Sequence, residues 1–269
     1  MSSGELVFVG LGLYDEEDIS VKGLSLIRGC DRVFAEFYTS QLVGTNIGRI
    51  ERLIGKPIEV LSRDEAERGD RVLKSALKDK TVFLTCGDPM IATTHVDLRL
   101  RAVEKGIRTR IVHGSSIVTA VPGLLGLQSY KFGRATSLVF PDKNYSPISP
   151  YYVVKNNREM GLHTLVFLDI HAEKKRYMTA NEGMDILLDM ERNVGDGVFD
   201  EDSVVCVVAR AGSSDPLLRA DRICVLREQD FGHPLHTIVV PGRLHFMEAE
   251  ALVRLAGLPK ELAGKLQKL

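Results

Sequence analysis

The chain has 269 residues, 44% of them hydrophobic, with 35 Lys and Arg against 36 Asp and Glu. That length supports one large or two medium domains with a buried core. The near-zero charge speaks against a chain that wraps nucleic acid or sits on an acidic membrane. No apolar run approaches the roughly 20 residues that a bilayer span needs, and the opening MSSGELVFVG lacks the basic and apolar regions of a secretory leader. Cys30, Cys86, Cys206 and Cys224 are scattered, with no CxxC pair. The expectation is a cytoplasmic globular protein without a zinc site.

In chain order, Leu6–Val9 is a short apolar run that predicts a strand. Ser20–Ile27 has helical spacing, Arg32–Glu36 predicts a strand, and Asn46–Ile54 a helix that Gly55-Lys56-Pro57 stops. Ile58–Leu61 predicts a strand, 64–77 a charged helix, Thr81–Thr85 a strand, Thr93–Glu104 a helix and Arg110–Val112 a strand. Ser116–Leu125 starts a helix that Pro122 bends or shortens. Alternating strands and helices favour parallel βαβ units.

Residues 133–151, GRATSLVFPDKNYSPISPY, then interrupt the pattern with three prolines. The domain boundary is placed there, giving domains 1–132 and 133–269. The second half predicts strands at Thr164–Asp169, Ser203–Arg210, Arg222–Leu226 and Thr237–Val240, with helices at Ala180–Met190 and His245–Leu255. The expected fold is α/β: two α/β domains, an N-terminal largely parallel sheet with flanking helices and a C-terminal mixed sheet.

Three turns at strand ends carry small residues. The first, Gly10-Leu11-Gly12, is followed by four acids, Asp15, Glu16, Glu17 and Asp18. A dinucleotide fingerprint GxGxxG needs a third glycine where Asp15 stands. A pyrophosphate there would meet like charge at close range, which disfavours a nicotinamide or flavin oxidoreductase. The acids also have an ordinary use, since Asp18 or Ser20 can cap the next helix. The second turn is Thr85-Cys86-Gly87-Asp88-Pro89, ordinary turn chemistry on the same predicted sheet edge. The third is His113-Gly114-Ser115-Ser116, whose helix start offers free N–H groups. None carries a lysine to hold phosphate, so the rim suits a zwitterionic ligand or one with little negative charge.

The segments FVGLGLYDEEDIS, AEFYTS, LTCGDPMIATTH, VHGSSI, YKFG, LHTLVFLDI, YMTANE and VVARAG resemble the diphthine synthases, a branch of the tetrapyrrole-methylase-type family of S-adenosylmethionine-dependent methyltransferases. The similarity spans residues 5 to 258. The VGLG and GDP turns are general to the wider fold; YDEEDIS, AEFYTS, ATTH and MTANE are specific to the branch. The resemblance implies two α/β domains, a homodimer, and a cofactor folded in the cleft between the domains. It implies that Leu13, Asp88, Ile91, Ser116 and Ile117 contact S-adenosylmethionine from the first domain, and Leu168, Ala211 and His236 from the second. Many relatives carry Pro near Cys86 and Ser115.

The resemblance further implies the substrate: elongation factor 2, at a histidine carrying a 3-amino-3-carboxypropyl group whose amine is methylated, three times in the archaeal-type pathway, to diphthine. The other product is S-adenosylhomocysteine. No nucleic acid or membrane partner is implied. A sulfonium cation tolerates negative charge beside the glycine turn, and that charge assists its long-range attraction. The amine must lose a proton before attack, and Asp88, His113 and Asp169 are candidate acceptors; no catalytic residue is fixed. Two alternatives stay open: a same-fold methyltransferase acting on a tetrapyrrole or ribosomal RNA, and a non-catalytic S-adenosylmethionine-binding module.

Other features have plainer readings. The pair His233 and His236 lacks an evident third ligand for metal. Cys86 lacks an evident basic partner, so it reads as a packed thiol. Tyr130-Lys131-Phe132-Gly133 reads as a hinge rather than a base-stacking element, and 173–176 as a solvated helix start.

Overall fold

A computed structural model describes residues 4–38, 40–142 and 145–268. Thr39 of the AEFYTS segment, and Lys143 and Asn144 of the proline-rich segment, lie outside the described residues. By contact the chain divides into two units, Met1–Ile117 with His171–Lys175, and Val118–Ile170 with Arg176–Leu269. The 132/133 junction expected from composition falls inside the second unit.

The first unit runs β1 (Glu5–Gly10), α1 (Val21–Arg28), β2 (Arg32–Glu36), α2 (Ile47–Ile54), β3 (Glu59–Leu61), α3 (Arg63–Arg68), α4 (Asp70–Ala76), β4 (Lys80–Thr85), α5 (His95–Glu104) and β5 (Arg108–Val112). Its sheet has the order β3-β2-β4-β1-β5, with every pairing parallel. The inner strands β1 and β4 read as near-continuous apolar runs because both their faces are covered, while the edge strands β3 and β5 are partly exposed. Val7, Val9, Val33, Ala35, Val82 and Leu84 pack on one side with Ile27 of α1 and Ile50 and Ile54 of α2. Leu6, Phe8, Phe34 and Phe83 pack on the other with Val72 and Leu73 of α4 and Leu98 of α5. This is the period-two alternation of a strand buried twice.

The single charged helix expected over 64–77 is two helices. Gly69 adopts φ +65, donates its N–H to Glu65, and separates α3 from α4. A Cβ there would lie 2.4 Å from Leu98 Cδ1, so the break also lets α5 pack close.

The chain continues with α6 (Ile117–Leu125), β6 (Thr136–Leu138), α7 (Ser149–Glu159), β7 (Thr164–Leu168), a hairpin of β8 (Ile170–His171) and β9 (Arg176–Tyr177), α8 (Ala180–Val194), β10 (Val204–Ala209), β11 (Leu217–Arg222), α9 (Ile223–Leu226), β12 (His236–Val240), α10 (Phe246–Leu255) and α11 (Lys260–Leu266). The main sheet has the order β11-β10-β12-β7-β6. It is mixed: β6 and β7 pair parallel and the other neighbours antiparallel. α6 runs through Pro122 and ends at Leu125.

Several local expectations change. The proline-rich segment contains α7, whose Pro150 sits in the first turn, where its missing N–H costs nothing. Arg222–Leu226 is not a strand; Arg222 ends β11 and the apolar ICVL stretch is the short helix α9. Glu173–Arg176 is a 3-10 turn and the start of β9, not a helix start. Tyr130–Gly133 is pinned. Gly133 N–H donates to the His163 carbonyl, His163 N–H to that of Lys131, and Lys131 Nζ to Glu248 at 2.5 Å. Among the described residues no helix is long and apolar enough to cross a membrane.

Candidate functional site

The parallel first sheet brings the ends of β1, β4 and β5 to one edge, where open α/β sheets bind ligands. Three glycines make their turns interlock. A Cβ on Gly10 would lie 2.4 Å from the Gly87 carbonyl oxygen and 2.6 Å from the Gly114 nitrogen. One on Gly114 would lie 2.4 Å from the same oxygen. Gly87 takes φ +72 and donates its N–H to Gly12 at 2.7 Å. Leu13, Asp88, Ile91, Ser116 and Ile117 all fall along this edge. Asp88 and Ser116 are buried, and Ile91 is exposed.

Asp88 has two fixed partners. Its Oδ1 accepts the Met90 N–H at 2.9 Å, and its Oδ2 lies 2.7 Å from His113 Nδ1. Of the three candidate proton acceptors, the structure joins these two. Asp169 instead accepts the Phe140 and Ile170 N–H groups, both at 2.9 Å, and so staples its own loop.

The four acids after Gly12 are mostly structural. Asp18 Oδ2 accepts the N–H groups of Leu13 at 3.0 Å and Tyr14 at 2.7 Å. Asp15 caps the turn Glu16–Asp18, and Ser20 caps α1. Glu16 pairs with Arg49 at 2.8 Å. Of the four, Glu16 is paired with a cation, and the backbone N–H bonds to Asp15 and Asp18 leave their formal charges in place.

Beneath the edge lies a buried polar group that pattern reading missed. Glu36 ends β2 opposite Thr85 of β4, and its Oε1 is 3.7 Å from His95 Nε2 at the start of α5. His95 Nδ1 is 3.1 Å from the Pro89 carbonyl. Burial lowers the His95 pKa. Burial, followed by the Glu36 charge, raises the neighbouring Cys86 thiol well above its ordinary value, so Cys86 is a packed thiol. The AEFYTS and ATTH segments flagged these residues only as branch markers.

The mixed second sheet makes an equivalent edge. β7 and β10 each run antiparallel to β12, so their carboxyl ends meet the start of β12. Leu168 ends β7, Ala211 follows β10, and His236 opens β12. His236 is buried, with Nδ1 accepting the Ala180 N–H at 3.2 Å and Nε2 3.2 Å from the His233 carbonyl. Burial lowers its pKa. Both ring nitrogens are engaged, so the His233 and His236 pair is a structural contact. Among the described residues no group of three His, Cys, Asp or Glu is placed to hold a metal. Arg210, at φ +53, sends Nη1 to the carbonyls of Phe231 at 2.8 Å and His233 at 2.7 Å, which steadies the loop before β12.

The family model of the Tetrapyrrole (Corrin/Porphyrin) Methylases matches residues 5–221. The chain is 49% identical over 261 residues to the diphthine synthase of Methanothermobacter thermautotrophicus, covering 97% of this chain and 99% of that one. It is 52% identical over 256 residues to the diphthine synthase of Methanocella arvoryzae, covering 94% and 98%. The chain belongs to the diphthine synthases of the tetrapyrrole methylase family. A crystal structure of a diphthine synthase matches this fold with a TM-score of 0.88 at 40% identity, covering 98% of this chain and 99% of that one. A diphthine synthase is a methyltransferase.

Proposed function

We propose that the chain transfers methyl groups from S-adenosylmethionine to the amine of the 3-amino-3-carboxypropyl-histidine of elongation factor 2, three times, giving diphthine. The observation that carries this reading is the match to diphthine synthases along nearly the whole length of both chains. Bound S-adenosylmethionine supplies a methyl group on a cationic sulfur. The first sheet edge fits such a ligand. Its turns approach by backbone alone, Gly10 and Gly114 leave no room for side chains, Gly87 takes a positive φ, and the buried Asp88 carboxylate suits a cationic or hydroxyl group. None of the three turns offers the lysine a phosphate would want.

Leu13, Asp88, Ile91, Ser116 and Ile117 are proposed to hold the cofactor from the first edge, and Leu168, Ala211 and His236 from the second. With the methyl group activated by its leaving group, the protein's part is to position the amine and receive its proton. We assign the protein to the cytoplasm, where its four free cysteines would stay reduced. We also assign it a homodimer. Val96, Leu100 and Val103 form an exposed apolar stripe on α5, opposite the face that buries Leu98 and Ala102.

The test is methyl transfer to elongation factor 2 from cells lacking this enzyme, followed by mass spectrometry of the modified histidine peptide. A gain of three methyl masses is expected. No gain, with cofactor binding shown by calorimetry, would move the chain to another acceptor.

A further inference from the structure

We propose that His113 is the proton acceptor for the substrate amine and that Asp88 is its positioning residue, an assignment that rests on the amine-methylating function proposed above. In the sheet, β4 and β5 lie on either side of β1. The turn after β4 carries Gly87 next to Asp88, and the turn after β5 carries Gly114 next to His113. Because Gly10, Gly87 and Gly114 interlock without side chains, their two neighbours meet over the end of β1, with Asp88 Oδ2 2.7 Å from His113 Nδ1.

The two partners differ sharply in exposure: the His113 side chain is 73% accessible and that of Asp88 is 7%. Three other histidines whose ring nitrogens are tied down, His95, His163 and His236, are buried. His95 faces Glu36, and His236 uses both nitrogens internally. His163 sets Nε2 3.1 Å from Glu248 and accepts the Gly242 N–H on Nδ1. Those three rings hold the fold together. The His113 ring instead stands out from the ligand-binding edge with one nitrogen tied down.

That tie sets the tautomer. A carboxylate facing Nδ1 requires the proton there, so the neutral ring carries its lone pair on Nε2. Asp88 cannot rotate away, since its other oxygen holds the Met90 N–H. The substrate arrives as an ammonium, which has no lone pair for attack. Its N–H bond breaks, the electron pair stays on the amine nitrogen, and the proton forms a bond to His113 Nε2. The resulting imidazolium sits against the Asp88 carboxylate and returns its proton to solvent from the exposed ring edge. Each methylation short of the quaternary product leaves an ammonium proton, so three methyl groups call for three such transfers.

Histidine-selective 15N NMR on the wild-type protein without cofactor is the first test. The expected result is a neutral His113 protonated on Nδ1, with that preference lost in Asp88→Asn. A ring protonated on Nε2 in the wild type overturns the assignment. The second test compares His113→Ala with wild type. Cofactor affinity by calorimetry is expected to stay within twofold, while methyl transfer falls by about 100-fold and is partly restored by added imidazole. A variant that transfers methyl within threefold of an active wild type overturns the acceptor role alone. A wild type that binds cofactor but transfers nothing to elongation factor 2 overturns the substrate reading, and the acceptor role with it.

Discussion

Glu36 and His95 face each other across 3.7 Å in an interior closed to solvent, directly under the turn that presents Asp88. His95 reaches the Pro89 carbonyl with its other nitrogen, and Glu36 also accepts the Tyr38 N–H at 3.2 Å. His95 thus ties the start of α5 to the loop after β4, and its Nε2 faces the Glu36 carboxylate beyond hydrogen-bond distance. Replacing Glu36 by Ala would take the acceptor from the Tyr38 N–H and the facing carboxylate from buried His95. We expect Glu36→Ala to lose about 2–3 kcal/mol of unfolding free energy, measured by chemical denaturation. Glu36→Gln, which keeps an acceptor, should lose clearly less; equal losses would show that the pair does not brace the loop.

The three interlocked glycines lead to a sharper contrast. Gly10→Ala and Gly114→Ala each force a methyl group to 2.4 Å from the Gly87 carbonyl. Either should cost about 3 kcal/mol and abolish measurable cofactor binding in calorimetry. Gly123, in α6, would meet nothing within 4 Å of an added methyl group and has no positive φ. Gly123→Ala should stabilise the fold by about 0.5–1 kcal/mol and leave affinity intact.

Acid should destabilise the protein in two stages. Burial lowers the pKa of His95 and His236 from 6.5. The unfolded chain then binds protons that the fold refuses, so stability falls as pH drops below about 6.5. Glu248 gives the second stage. Burial alone would raise its pKa, but hydrogen bonds from His163, Lys131 and the Gln128 and His245 amides outweigh that and hold it at about 2, from 4.5. Its contribution is complete above 4.5 and is lost as pH falls from there towards 2. Denaturant unfolding across this range should show both limbs in the wild type. Glu248→Gln should be less stable at neutral pH and lose the lower limb; a variant that keeps the wild-type slope in the acid range would contradict this.

The apolar stripe on α5 bears on assembly. Val96→Glu with Leu100→Glu places two charges on an exposed face without touching the buried Leu98 and Ala102. If the proposed homodimer uses this face, sedimentation should show a dimeric wild type and a monomeric variant that keeps its far-UV circular dichroism. An unchanged dimer would send the search to another surface.

The first sheet was legible in the sequence because its inner strands are buried on both faces, so LVFV and TVFLT stand out as apolar runs that lead into glycine turns. The second unit was less so. The ICVL stretch is too short for periodicity to separate strand from helix, and it became α9 once Arg222 closed β11. The prolines before Tyr151 read as a break, yet Pro150 starts α7. Asp88 and His113 were each visible as titratable residues in turns. Their contact was not, because it depends on how closely three glycines let separate turns approach. Glu36 with His95, and His163 with Glu248, pair across long stretches of chain and leave no local signature.

The frame that aligns Asp88 with His113 is built from main chain alone. Gly10, Gly87 and Gly114 fix where the turns stand, and no side chain takes part in the lock. An exposed neighbouring letter such as Ser115 can therefore be rewritten while the scaffold keeps its shape. For an engineer, this separates two problems that most active sites entangle: the reactive groups can be exchanged one by one, and the alignment between them comes ready-made.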